Sequence, residues 1–185
     1  MAEQVVELPP LRGAEIVIGV DRGGLEVAAA CARALRLPCH RCSTRHLGLP
    51  WRPPLPFGAV TDDGYHFVDA EVAADHALAP SEIAALVRSA REAAGFSPPR
   101  RPSLAGRSVL IVGDALSTGY RALAVAASVK AAGPADVTIV APCCAADAVA
   151  RVAAEGIRLV SLHVADGPRF DADSFYDRRS AAAAA

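Results

Sequence analysis

Residues 108–121 read Ser-Val-Leu-Ile-Val-Gly-Asp-Ala-Leu-Ser-Thr-Gly-Tyr-Arg, and the rest of the chain falls into place around them. Four consecutive apolar β-formers, 109–112, run into a loop of small residues, 113–119, and an alanine-rich pattern of helical spacing begins at once. A buried parallel strand that hands a short loop to a helix N-terminus is how α/β proteins build an anion site. Backbone N–H groups and the positive end of the helix dipole converge there. The hydroxyls of Ser117 and Thr118 add donors. Asp114 would repel a phosphate unless it faces a sugar hydroxyl or a metal, so the loop suits a phosphate carried on a ribose.

Outward from this stretch, strand and helix signals alternate. Residues 16–20 form a short apolar strand, Asp21-Arg22-Gly23-Gly24 a glycine turn, and 25–35 a helix with alanine fillers. Residues 38–43 give a second strand, and the proline-rich stretch 49–57 a loop. A hairpin over 59–68 turns at Asp63-Gly64, and Ser81 caps a helix that runs to about 94. Residues 95–106, rich in Pro, Ser and Arg, read as a mobile loop. Beyond the central strand come a helix over 120–132, a strand over 137–141, a helix over 145–155 and a last strand over 159–163. The alternation predicts a single α/β domain over residues 1–180, with a mainly parallel five-strand sheet flanked by helices and a small hood from the hairpin. Residues 181–185 are a low-complexity alanine tail. Ligands of such sheets sit beyond the carboxyl ends of the strands, where both glycine loops, 21–24 and 113–119, are expected.

Composition sets the outer bounds. A length of 185 residues suits one α/β core, and 52% hydrophobic residues, much of it alanine, fits a sheet buried on both faces. No apolar run reaches the roughly 18–20 residues that cross a bilayer, and the first residues lack a signal-peptide pattern, so a cytoplasmic location is expected. A net charge of −1 with no basic stripe argues against nucleic acid as the principal partner. Five cysteines, an odd number, fit a reducing compartment. Cys39 and Cys42 form a lone CxxC on a strand, where positions three apart face opposite sides, so both read as small buried hydrophobes. His40, His66, His76 and His163 read as surface or satisfied core residues. Trp51 and Tyr65 read as a cover for either the site or the core. No carboxylate pair stands at a spacing that marks acid–base work, and Ser43, Ser117 and Ser161 lack a nucleophile-elbow context.

The strand, the Val-Gly-Asp-Ala-Leu-Ser-Thr-Gly loop and the following helix resemble the ribose-phosphate motif of the type I phosphoribosyltransferases. The segment Val20-Asp21-Arg22-Gly23-Gly24 resembles that family's pyrophosphate loop. Arg45-His46-Leu47-Gly48 resembles an Arg-Lys-Leu-Gly segment of one bacterial branch, and Asp173-Ser174-Phe175-Tyr176 its terminal aromatic pair. The resemblance covers roughly residues 14–178. It implies a phosphoribosyltransferase, a pentosyltransferase of nucleotide metabolism. Such an enzyme would bind 5-phosphoribosyl 1-pyrophosphate with Mg²⁺, pass the phosphoribosyl group to an unidentified acceptor and release pyrophosphate. The partner implied is this small molecule or a nucleotide, and a homodimer is a compatible assembly.

Carried over residue by residue, Gly113, Asp114, Ala115, Leu116, Ser117, Thr118, Gly119, Tyr120 and Arg121 would bind the ribose phosphate. Asp114 would accept hydrogen bonds from the ribose hydroxyls. Asp21, Arg22, Gly23, Gly24, Arg45 and His46 would receive the pyrophosphate, Arg22 and Asp114 being the candidate catalytic residues and Asp21 the candidate Mg²⁺ ligand. The departures matter as well. Gly113 stands where the family pattern has the first of two acidic residues, and His46 replaces a permanent cation with one that titrates near neutrality. The loop over 89–103 is shorter than the branch's flexible cover. These departures leave open a non-catalytic module that binds phosphoribosyl pyrophosphate or a nucleotide as a sensor or partner. Ser117, where relatives that use hypoxanthine or guanine carry aspartate, argues against those bases.

Overall fold

Alternate residues of the central strands belong to two different cores, which is the physical signature of a sheet covered on both faces. In the computed structural model, which describes residues 11, 13–49, 51, 55–96, 101–165 and 170, strand β1 (Ile16–Val20) sends Ile16, Ile18 and Val20 to one face and Val17 to the other. Strand β6 (Ser108–Val112) does the same with Val109 and Ile111 against Leu110 and Val112. Helix α1 (Asp21–Leu35) covers the second face through Ala28, Cys31 and Ala32. Helices α4 (Tyr120–Ala131) and α5 (Ala146–Ala154) cover the first through Ala122, Val125, Val129, Ala148 and Val152. Their alanines let helix and sheet approach closely, which explains how a chain with few large side chains still closes a core.

The main sheet has five strands, all parallel, in the order β2-β1-β6-β7-β8, with β2 at Cys39–Cys42, β7 at Asp136–Ala145 and β8 at Arg158–Ala165. From β1 the chain goes to one side for β2 and later to the other for β6, so the topological switch point lies between β1 and β6. That is where ligands of open α/β sheets bind.

A second sheet, order β3-β4-β5, is antiparallel and forms the hood: β3 (Thr44–Gly48), β4 (Pro56–Thr61) and β5 (His66–Val68). One side packs on α4 through Ala59 and Phe67. The other packs Phe57 and Val60 on α3 (Pro80–Ala94), with α2 (Ala70–Asp75) at its end.

Several boundaries differ from the sequence reading. The hood has a third strand, β3, because Arg45-His46-Leu47-Gly48 pairs with β4 and buries Leu47 fully. Strand β4 starts at Pro56, inside the stretch read as a loop; an edge or first position tolerates proline, which lacks only the N–H. The cap of α3 is Ala79 rather than Ser81, with Pro80 in the first turn and the Glu82 carboxylate accepting the Ala79 N–H at 2.8 Å. Of the segment read as a mobile loop, residues 97–100 lie outside the described residues. Leu104 is buried, and Arg101 is bound to Asp63 and Ser128. The terminal aromatic pair and the alanine tail also lie outside the described residues. Cys42 and Cys39 do take opposite faces of the sheet, and all five cysteines are free thiols. No helix among the described residues is long and apolar enough to cross a membrane.

Candidate functional site

Val20 and Val112 end neighbouring parallel strands, so the loops that follow them emerge side by side. The first is no free turn. Helix α1 begins at Asp21, so Arg22-Gly23-Gly24 is its opening turn. Gly24 packs on the end of β6 so closely that a Cβ there would lie 2.6 Å from the Val112 carbonyl oxygen. Gly23 packs on the second loop, where a Cβ would lie 2.1 Å from Asp114 Oδ2. Two glycines therefore let the two loops touch, and the Asp114 carboxylate leans over the helix turn with Oδ1 accepting the Ala115 N–H at 2.9 Å.

The second loop is stitched to β7. Leu116 N–H donates to the Cys143 carbonyl (3.0 Å), and Ala145 N–H donates to the Leu116 carbonyl (2.8 Å). Strand β7 runs past Pro142, where it pairs with β8 on one side and meets Leu116 on the other, and is longer than its apolar run suggests. The loop ends at Gly119, φ +79°, a left-handed conformation that a side chain rarely adopts; this glycine has no side chain to cap α4, and the neighbouring Thr118 hydroxyl accepts the Tyr120 N–H at a long 3.4 Å. The other N–H groups of a first helical turn have no partner within the helix. These open on a cavity of about 270 Å³ lined by Asp21, His46, residues 113–122 and Phe170. Loop, hydroxyls and helix dipole converge there, an arrangement whose chemistry suits an anion.

The structure gathers Asp21, His46 and all of 113–121 on this cavity, and leaves others off it. Arg22 points away, its side chain 93% exposed and 3.8 Å from Glu26. Arg45 is exposed on the hood. Gly23 and Gly24 contribute space rather than lining. Tyr120 is buried and its hydroxyl donates to Asp69 Oδ2 at 2.9 Å, so only its backbone faces an anion. Trp51 and Tyr65 are exposed and line no part of the cavity.

Asp21, the candidate Mg²⁺ ligand, lines the cavity with its carboxylate already engaged. Its φ of +56° is unusual for a residue with a side chain, and its carboxylate is held in that pose. Oδ1 accepts Thr44 N–H and Oδ2 accepts the Thr44 hydroxyl, each at 2.6 Å, and Arg121 Nη1 lies 3.3 Å from Oδ2. Both carboxylate oxygens therefore carry donors, and one of them faces a guanidinium. Asp21 is a clamp that joins α1, β3 and α4.

Arg121 Nε also donates to His46 Nε2 at 2.9 Å, which requires the His46 proton on Nδ1, facing the Gly58 carbonyl at 3.4 Å. Burial and the neighbouring Arg121 charge push the His46 pKa below its ordinary value, against the raising effects of Gly58 and Asp21. The unfolded chain then takes up the proton first, so stability is full above the ordinary value of 6.5 and falls as pH drops below it. Melting temperature is expected to fall between pH 7.5 and 5.5 with a steeper slope in the natural chain than in His46→Gln, whose amide can serve both partners. Equal slopes would remove His46 from the pH response.

A second cluster lies where the hood turn meets β2. The Cys42 thiol points to Asp62 Oδ1 at 3.5 Å, Ser43 N–H donates to Asp62 Oδ2, and Asp63 takes Thr61, Ser128 and Arg101. Burial and the Asp62 charge push the Cys42 thiol far up, so it stays protonated. The carboxylates of Asp62 and Asp63 are both committed to these donors.

Sequence reasoning missed Thr44, Asp69, Arg151 and Phe170. Asp69 has a local signal, a capping aspartate before Ala-Glu-Val, and it accepts the N–H groups of Glu71 and Val72. Nothing local marks the other three.

Comparison with known proteins bears on this geometry. The model of the phosphoribosyl transferase domain matches residues 3–166. A putative phosphoribosyl transferase of Mycobacterium tuberculosis H37Rv is 34% identical over 155 residues, covering 80% of this chain and 35% of that protein. The chain thus spans about a third of the length of the curated relatives it matches. Among solved structures, TT1426 from Thermus thermophilus superposes with a TM-score of 0.75 at 26% identity, covering 95% of this chain and 86% of that one. The orotate phosphoribosyltransferase of M. tuberculosis H37Rv in complex with 5-phospho-α-D-ribosyl 1-diphosphate shares the fold, with a TM-score of 0.51 at 18% identity over 88% of this chain and 70% of that one.

Proposed function

This chain belongs to the phosphoribosyl transferase domain family, and on that premise we propose that its cavity binds 5-phosphoribosyl 1-pyrophosphate and supports transfer of the phosphoribosyl group to an acceptor. The observation that carries the reading is the meeting of two loops at the switch point, with Asp114 leaning over Gly23. A ligand held by both must bear an anion at the α4 N-terminus, hydroxyls near Asp114 and a second anionic group toward the opening turn of α1. A ribose with phosphates at both ends has that order of groups. The loop 117–121 would take the 5-phosphate through backbone N–H groups and the Ser117 and Thr118 hydroxyls, and Asp114 would accept the ribose hydroxyls. Fixed dipoles of this kind stabilise charge without reorganising.

Mg²⁺ usually binds through one or two carboxylates plus substrate phosphates. With Asp21 committed to Thr44 and Arg121, Asp114 is the carboxylate of the cavity whose chemistry fits such an ion. Bound there with substrate, Mg²⁺ would neutralise charge on the leaving pyrophosphate. The residues themselves orient the ribose and hold its 5-phosphate.

One observation favours a second reading, a binding module without catalysis. Arg22 is paired outward with Glu26, and Arg121 is tied to Asp21 and His46, so neither guanidinium is aimed at a leaving group.

Calorimetric titration with phosphoribosyl pyrophosphate, with and without Mg²⁺, tests both readings. Binding is expected, and Asp114→Asn should weaken it by roughly ten- to a hundredfold, the range for losing a charge-assisted hydrogen bond. No heat at millimolar ligand would overturn both readings. Binding without pyrophosphate release across nucleobase and amine acceptors would select the module.

A further inference from the structure

Behind the phosphate loop, on the side away from the cavity, helix α5 carries Arg151, which takes no part in the proposed chemistry. Its Nη1 donates to the Thr118 carbonyl at 2.7 Å, and its Nε donates to Asp69 Oδ2 at 2.9 Å. The guanidinium carbon lies 4.8 Å from the centroid of the Tyr120 ring, and Tyr120 in turn donates its hydroxyl to the same Asp69 oxygen. Phe67 of the hood stacks on the Tyr120 ring, with 5.9 Å between the ring centroids. The Asp69 and Arg151 side chains are only 11% and 25% exposed, so the pair is screened little by water. Asp69, Tyr120 and Arg151 thus bind hood, α4 and α5 to one point of the loop.

That point matters because a peptide unit is planar and trans, so its C=O and the following N–H point in opposite directions. A donor that pulls the Thr118 carbonyl toward α5 therefore turns the Gly119 N–H the other way, toward the cavity that Thr118 and Gly119 line. Gly119 sits in the left-handed region at φ +79°, directly against α5, where a Cβ would be 3.6 Å from Ala148. Such a conformation persists when the surroundings over-determine it. A cationic donor on the carbonyl also polarises the peptide and strengthens its N–H as a donor.

We propose that Arg151 is a positioning residue for the phosphate loop: held by Asp69 and Tyr120, it fixes the Thr118–Gly119 peptide so that the Gly119 N–H faces the bound 5-phosphate. The role rests on the reading of 117–121 as a phosphate site. Arg151 touches no ligand; it acts through the peptide. A lysine cannot replace it, because one ammonium lacks the planar fork that reaches a carbonyl and a carboxylate together.

The test uses the whole chain and ribose 5-phosphate as the probe, titrated calorimetrically well below the melting temperature. The natural chain is expected to bind, Arg151→Met to bind at least tenfold more weakly, and Arg151→Lys to recover little. The Gly119 amide should exchange with deuterium faster in Arg151→Met. Methylguanidinium at tens of millimolar should restore binding to Arg151→Ala, which a merely structural loss would not allow. If Arg151→Met fails to fold, Asp69→Asn, whose one oxygen can keep the N–H groups of Glu71 and Val72 while its amide NH₂ faces Tyr120 and no longer accepts from the guanidinium, should show a smaller loss of about threefold. Unchanged affinity in a folded variant, with unchanged exchange at Gly119, would overturn the positioning role while leaving the phosphate site standing. A natural chain that does not bind ribose 5-phosphate would overturn the site itself, and the role with it.

Discussion

Replacing Arg101 by methionine is expected to lower the unfolding free energy by about 3 kcal/mol, the low end of the range for breaking a buried ion pair. The side chain is 9% exposed, and its Nη2 bridges Asp63 and the Ser128 hydroxyl. Its removal leaves Asp63, at 22% exposure, with the Thr61 and Ser128 hydroxyls but no counter-charge. Those two donors are why the low end applies. Burial pushes the Asp63 carboxyl up, but hydrogen bonds from Ser128 and Thr61 and the Arg101 charge outweigh it and hold the carboxyl below its ordinary value. A depressed carboxyl gives stability that is present above the unfolded value of 3.8 and is lost as pH falls through the folded one. Urea denaturation at pH 7 measures the loss. Adding Asp63→Asn to Arg101→Met should recover part of it, since the uncompensated charge is then gone. Additive losses in the double variant would mean that the two groups are not coupled.

This corner also shows what a local reading of sequence can and cannot see. The central strands were legible because their apolar runs are continuous and their alternation feeds two cores. The strand–loop–helix unit around 113–119 was legible because strand, small residues and helix are contiguous in the chain. Strand β3 was not, since Arg45 and His46 are polar and only Leu47 is buried in it. The opening turn of α1 was read as a loop because two adjacent glycines disfavour a helix by about 2 kcal/mol together. Packing of Gly24 on the Val112 carbonyl overrides that preference. Arg101, lying 38 residues from Asp63, and Arg151, lying 82 from Asp69, carry no local signal at all. Charged side chains find partners through the fold, and a stretch rich in Pro, Ser and Arg looks mobile until the partner is seen.

Gly113, the departure from the family's acidic pair, has a different standing from the other site glycines. A Cβ there would meet only the Leu116 side chain at 3.2 Å and the Ala115 carbonyl oxygen at 3.9 Å, and its backbone is not left-handed. The fold does not require glycine at this position. The scaffold thus does not impose the missing carboxylate, whereas it sets Gly23 and Gly24.

Those two glycines make the sharpest pair of predictions, because the same substitution should act in opposite ways one residue apart. In Gly23→Ala the new Cβ would fall 2.1 Å from Asp114 Oδ2 and 2.8 Å from its Cγ. What must yield is the end of a short, exposed side chain, so the carboxylate swings away and the backbone stays. Alanine in a helix turn gains about 1 kcal/mol over glycine, so the melting temperature should hold or rise. Affinity for phosphoribosyl pyrophosphate should nevertheless fall about a hundredfold, because the ribose loses Asp114 and the approach to the opening turn narrows. In Gly24→Ala the Cβ would meet the Val112 carbonyl at 2.6 Å and the Gly113 Cα at 3.2 Å, and both are backbone. Only separation of α1 from the end of β6 relieves that clash. Overpacking of this kind costs about 1–3 kcal/mol, so the melting temperature should drop despite the same helical gain. Thermal melts and calorimetric titration on both variants decide the matter. If Gly23→Ala binds as the natural chain does, the contact between the two loops does not shape the ligand site, and the reading built on it fails.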